Sequence, residues 1–122
     1  MVTPDNSAVP ERAQRPSVVA RQYAAGDSWV IAVRGELDCD SIPPLREALE
    51  EAASQHRTVV LDAGEVTFAD SSALGVLLYA HQATDLRIAA AGDRLMRLLK
   101  VTAADTVLSL HPSVDEACRP RS

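Results

Sequence analysis

The stretch "VVLDAGEVTFADSSALGVLLYAHQA", residues 59–83, decides the fold. It begins as the end of a short apolar strand pattern, "RTVVLDAG" (57–64), and ends in a helical run over about 71–83. The change happens at Asp70-Ser71-Ser72, residue types that hold the free amides of a helix start. In the helical run, Leu74, Val76, Leu77, Leu78 and Ala80 cover most of the circumference, so a deeply buried helix is expected. A second apolar strand pattern, "LRIAAAG" (86–92), follows at once. Strand, helix and strand in that order predict a right-handed crossover between parallel neighbours.

Working outward, "SVVARQYA" (17–24) and "SWVIAVRG" (28–35) read as strands around the turn Ala25-Gly26-Asp27, hence an antiparallel hairpin. Trp29, Ile31 and Val33 alternate with Val30 and Ala32, which makes both faces apolar and the strand a central one. "IPPLREALEEAA" (42–53) is a helix with Ser41 or Asp40 as its cap and prolines in its first turn. Its stripe is Ile42, Leu45, Leu49 and Ala52. "DRLMRLLKVT" (93–102) is a further helix, with Leu95, Leu98, Leu99 and Thr102 inward and Arg94, Arg97 and Lys100 in water. "TVLSL" (106–110) adds a short edge strand, and residues 112–117 a closing helical turn. The expected fold is α/β: one domain over 17–117, with a small mixed sheet of four or five strands packed by three or four helices. Residues 1–16, punctuated by Pro4, Pro10 and Pro16, read as a flexible tail, and 118–122 as a frayed end.

Composition narrows the function. A chain of 122 residues holds one core. Aromatic residues are 3% of it, so the core is aliphatic and the stacking platforms of single-strand nucleic-acid binders are missing. A net charge of −5 also disfavours a phosphate-backbone partner. No apolar stretch approaches a membrane span or a signal peptide, and Cys39 and Cys118 are far apart. A cytoplasmic protein with free thiols is expected, with proteins or small molecules as partners rather than nucleic acid or membrane. His56, His81 and His111 share no metal-ligand spacing, so no metal and no cofactor are expected.

Asp70-Ser71-Ser72 has two readings. The triplet caps the helix and nothing more, with Ser72 the cap, or a hydroxyl also does chemistry. A helix start tolerates a phosphoryl group, because its free amides and positive end favour anions. Enzymatic readings fail on spacing: there is no G-x-S-x-G elbow and no Gly-Lys of a P-loop. No nucleophile, base and orienting group line up, so no catalytic residue is expected. Asp38, in "GELD", reads as a turn or capping carboxylate.

The segments "RGELDCDSIPPLREAL" (34–49), "VVLDAGEVTFADSSALGVLLYAHQ" (59–82) and "LRIAAAGDRLMRLLKVTAADTVLSLHPSVDEA" (86–117) together resemble the anti-sigma factor antagonist family of the STAS-domain fold. The resemblance rests on G-x-L-D after the second strand, on L-D-x-x-x-V-x-F-x-D-S-S, and on a late S-V-x-E-A. It implies a STAS-like domain that binds an anti-sigma factor, a serine kinase of the histidine-kinase-like ATPase fold, and so frees a sigma factor. It implies that the kinase phosphorylates Ser71, that a serine phosphatase restores it, and that Asp38, Asp70, Ser71 and Ser72 lie in the partner-binding surface. Ala73 stands where the family most often has glycine. Two other functions stay open. One is a STAS subunit of a lipid-transport ATPase or a stress-signalling scaffold, in which Ser71 only caps. The other is a nucleotide- or small-molecule-binding domain.

Overall fold

The computed structural model describes residues 17–120; the segment 1–16 and residues 121–122 lie outside them. Strands β1 (Val19–Ala25) and β2 (Ser28–Leu37) form the expected antiparallel hairpin. Its turn works because Gly26 takes φ +61°, a conformation that costs glycine little. From β2 onward all pairing is parallel: with β3 (Thr58–Ala69), then β4 (Asp85–Ala89), then β5 (Ser109–His111). The sheet order is β1-β2-β3-β4-β5.

Each crossover therefore steps one strand in the same direction. Right-handed crossovers of that kind put their helices on one face. These are α1 (Ile42–Gln55), α2 (Ser71–Ala83) and α3 (Asp93–Val101). Their Leu45, Leu49, Leu77, Leu95 and Leu99 pack in one cluster with Ile31, Leu61 and Ile88 of the sheet. Every one of the largest fully buried side chains is Leu, Ile or Val, as the scarcity of aromatics requires. Burying each is worth about 1.5–3 kcal/mol. The second face is closed by one turn, α4 (Val114–Ala117), whose Ala117 joins Val30, Val60 and Ala89.

A buried cation ties α4 down. Arg87 on β4 is 5% exposed and pairs with Asp85 at 2.8 Å. Its Nη1 donates to the carbonyls of Ala117 at 2.7 Å and Arg119 at 2.6 Å, which serves the open C-terminal end of α4.

Several expectations are corrected. Strands β2 and β3 run on to Leu37 and Ala69, beyond the expected 35 and 64. Beyond Ala63, β3 is exposed or half-buried, with Val66 and Phe68 alternating with Glu65 and Thr67, and it stays paired with β2 through register shifts near Ala32 and Gly35. Strand β4 stops at Ala89, not 92, because Ala90 takes φ +61° and breaks the extended run. Strand β5 is Ser109–His111, not 106–110: Ala104–Thr106 forms a 3-10 turn instead. Thr102 does not face the core; it is exposed at the end of α3, and its hydroxyl donates back to the Leu98 carbonyl at 2.8 Å. Helix α2 is not buried all round. Ala73, Val76, Leu77 and Ala80 are buried, whereas Ser71, Gly75 and Tyr79 face solvent. It is a wall of the fold with one wet side.

Candidate functional site

Because β2 and β3 are parallel, their carboxyl ends meet: Leu37 is opposite Ala69. The residues that follow, Asp38 and Asp70, therefore leave the sheet together. The Asp70 amide donates to the Leu37 carbonyl at 3.2 Å and fixes that juncture. The carboxyl edge of a parallel sheet is the usual place for ligand and partner groups, since the loops there are free of the ladder.

Each acid organises a helix start. Asp38 Oδ1 accepts from the amides of Asp40 and Ser41, both at 3.0 Å. Ser41 Oγ donates to the Glu36 carbonyl at 2.6 Å and accepts the Asp38 amide at 2.9 Å. Ser41 occupies the N-cap position of α1, but its hydroxyl caps no helix amide. The expectation that Ser41 or Asp40 would cap through its side chain is thus corrected: Asp38 holds the turn, and Ser41 locks it to β2.

At α2 the cap is Asp70. Its Oδ1 accepts the Ser72 amide at 2.8 Å, and its carbonyl accepts from Ala73 at 3.1 Å and Leu74 at 3.3 Å. Ser72 is half-buried and receives the cap rather than providing it, contrary to the expectation above. Ser71 is the first helical residue and is exposed. Among the described residues its hydroxyl has no hydrogen-bond partner. Among the described residues Asp70 is the side chain that caps the helix start, and the Ser71 hydroxyl adds no hydrogen bond to it. Ala73 is 0% exposed, so its methyl points into the core and leaves the approach to Ser71 clear.

Two clefts flank this point. One, of about 320 Å³, lies between α1 and α2 and is lined by Arg46, Glu50, Ser71, Ser72, Gly75 and Tyr79 among others. The other, of about 680 Å³, lies between the end of β3 and α3, with Phe68, Ala69, Arg94, Arg97, Leu98 and Val101 on its walls. Sequence reasoning missed both. A signal existed for the second: Val101 follows α3's buried Leu95 and Leu99 out of phase and is 79% exposed.

The remaining candidates are dispersed. His56 stacks on Trp29 with ring centroids 4.8 Å apart, His111 meets Ser109 Oγ at 2.9 Å, and His81 lies on α2. Among the described residues no three His, Cys, Asp or Glu side chains gather as a metal cage. Cys39 and Cys118 are free thiols. No described helix is long and apolar enough to cross a membrane.

A family model described as "Mlab, STAS domain" matches residues 20–111. The anti-sigma-B factor antagonist of Listeria monocytogenes is 31% identical over 86 residues, which cover 66% of this chain and 75% of that protein. The crystal structure of an anti-sigma factor antagonist from Mycobacterium paratuberculosis is similar with a TM-score of 0.73 at 25% identity, over 80% of this chain and 87% of the other. The Bacillus cell fate determinant SpoIIAA, solved in its phosphorylated form, shares the fold with a TM-score of 0.62 at 17% identity, over 80% of this chain and 94% of the other.

Proposed function

The chain belongs to the STAS domain family, and we propose that it is an anti-sigma factor antagonist switched by phosphorylation of Ser71. It docks on an anti-sigma factor serine kinase through the edge built from Asp38, Asp70, Ser71 and Ser72, and so frees a sigma factor in the cytoplasm. The observation that carries this reading is the division of labour at the start of α2. Asp70 holds the helix amides, while the Ser71 hydroxyl is exposed and unengaged. The curated relative, itself an anti-sigma-B factor antagonist, supports the coarse function. The SpoIIAA neighbour is too distant to carry more than the fold, and the acceptor rests on the resemblance of Asp70-Ser71-Ser72 to the family's D-S-S motif together with the unengaged Ser71 hydroxyl.

The chemistry belongs to the partner. Ser71 Oγ attacks the γ-phosphorus of the kinase's ATP, the bond to ADP breaks, and the serine proton passes to a base on the kinase. A serine phosphatase later hydrolyses the ester. This chain contributes a hydroxyl and no catalytic group. The positive end of α2 tolerates the new anion, so the modified domain stays folded. Docking does not tolerate it. About −1.5 to −2 of charge arrives beside Asp70, at a contact that must lose water. An unpaired charge buried there costs about 2–5 kcal/mol, roughly thirty-fold to several-thousand-fold in affinity.

Incubation with the cognate anti-sigma kinase and ATP, followed by mass-spectrometric mapping, tests the acceptor. Labelling is expected at Ser71 and is lost in Ser71→Ala. Calorimetry with Ser71→Asp is expected to show the weakened complex. Undiminished labelling of Ser71→Ala, or full affinity in Ser71→Asp, removes the switch.

A further inference from the structure

The cleft on the α3 side of Ser71 combines two features that the fold does not use. Its walls include Phe68, 40% exposed, and Val101, 79% exposed, on either side of the half-buried Leu98. Beside them stand the exposed Arg94 and Arg97, with Lys100 exposed farther round the same helix. Among the described residues none of these three cations forms an ion pair, and Asp93 is the lone acid on the cleft wall. The chain as a whole carries −5, so a free basic patch on one helix runs against its own composition. Guanidinium groups in water beside wet apolar side chains are poised for a ligand that offers carboxylates and an apolar anchor. Nucleic acid fits poorly, because a long polyanion would also run against Asp93 and the acidic edge at Asp38 and Asp70. The cleft is continuous with the acceptor through the chain itself: Phe68 and Ala69 line it, and Asp70 and Ser71 follow directly.

We propose that this cleft is a second docking element, which takes an acidic segment of the same protein partner with an apolar side chain lodged between Phe68, Leu98 and Val101. Carboxylates of that segment meet Arg94 and Arg97. The proposal rests on the reading of the Ser71 edge as a protein-docking surface, but it assigns a different task. Ser71 determines release. The arginines speed encounter and select the partner, because complementary charge at a rim acts on association rate and on wrong partners. Such steering is screened by salt.

The test is calorimetric titration of the full chain with its cognate anti-sigma factor, at low and at high ionic strength. The double variant Arg94→Glu/Arg97→Glu is expected to bind about tenfold more weakly or worse at low salt. Its affinity should also respond less to salt than that of the wild type. Val101→Ser, uncharged and exposed, is expected to weaken binding several-fold while keeping the wild-type salt response. Circular dichroism checks that both stay folded. If the charge-reversed chain binds within about twofold of wild type while Ser71→Asp still loses affinity, the second element is overturned and the switch stands. If charge reversal weakens binding and Ser71→Asp does not, the cleft stands and the switch is overturned.

Discussion

Arg87 and Arg97 are the same side chain in opposite circumstances. Arg87 lies under α4 on the second face of the sheet, 5% exposed, and its guanidinium engages Asp85, Ala117 and Arg119. Arg97 stands on α3 in water with no ion pair among the described residues. The first charge is consumed by the fold, since a buried guanidinium must find partners for its donors or lose several kcal/mol of solvation. The second is left over. That contrast extends to whole regions. The second face is closed by α4, and the buried guanidinium there is tied to Asp85, Ala117 and Arg119. The outer surface of α2 and α3 keeps a free serine, free cations and wet apolar groups.

The largest effect should come from the closed region. Arg87→Ala removes the counter-charge of Asp85 and the donors to two carbonyls at the end of α4. A loss of about 3 kcal/mol in unfolding free energy is expected. The lower end of the range for buried pairs applies because the Asp85 side chain is 29% exposed. Urea unfolding measures it, and the folded fraction should still bind the anti-sigma factor with wild-type affinity. A loss below about 1 kcal/mol would mean that α4 is held by its apolar contacts, and the closed face would then owe little to the cation.

Asp70 sits between the two regimes, with one carboxylate oxygen on the Ser72 amide and the acceptor next to it. Asp70→Ala should cost about 1 kcal/mol, as other lost caps do. Ser71, one place into the helix, cannot reach round to replace it. Asp70→Asn keeps an acceptor oxygen at that position and should recover most of the loss. If Asp70→Ala is neutral in thermal unfolding, the helix start does not need Asp70, and Ser71 loses the argument that it is free for other work.

The order of elements could be read because burial follows period. Ile42, Leu45, Leu49 and Ala52, spaced as one helical face, are the buried residues of α1. Strand β2 has apolar residues on both faces, and Val30, Ile31, Ala32 and Val33 are all buried. What could not be read depends on neighbours or on single dihedrals. The second half of β3, beyond Gly64, is exposed or half-buried and stays extended alongside β2. Ala90 ends β4 through a left-handed φ that an alanine does not announce. The triplet at 70–72 was legible as a helix start, but not its division into cap and free hydroxyl. That division follows from which oxygen reaches the Ser72 amide, which is a matter of backbone path. The clefts were invisible for a similar reason: Phe68 and Arg97 become neighbours only after a crossover has been made.

The smallest effect should be a gain, at Gly75. This residue lies inside α2 on its exposed side and lines the groove between α1 and α2. A Cβ placed there would meet nothing within 4 Å, and its φ is not in the left-handed range that would call for glycine. Glycine in a helix interior is about 0.8–1.0 kcal/mol worse than alanine, partly because it leaves the unfolded chain more freedom. Gly75→Ala should therefore raise stability by about 0.8 kcal/mol, visible as a rise of several degrees in the thermal midpoint. A loss would show that this side of α2 is packed, and the division into a closed and an open region would fail at the helix that carries Ser71. With the gain in hand, docking supplies the sharper reading. If the more stable chain binds its anti-sigma factor less well, the bare helix backbone is a place of close approach, and the open region includes the groove as well as the cleft. Unchanged affinity confines the docking surface to the edge at Ser71 and the α3 side.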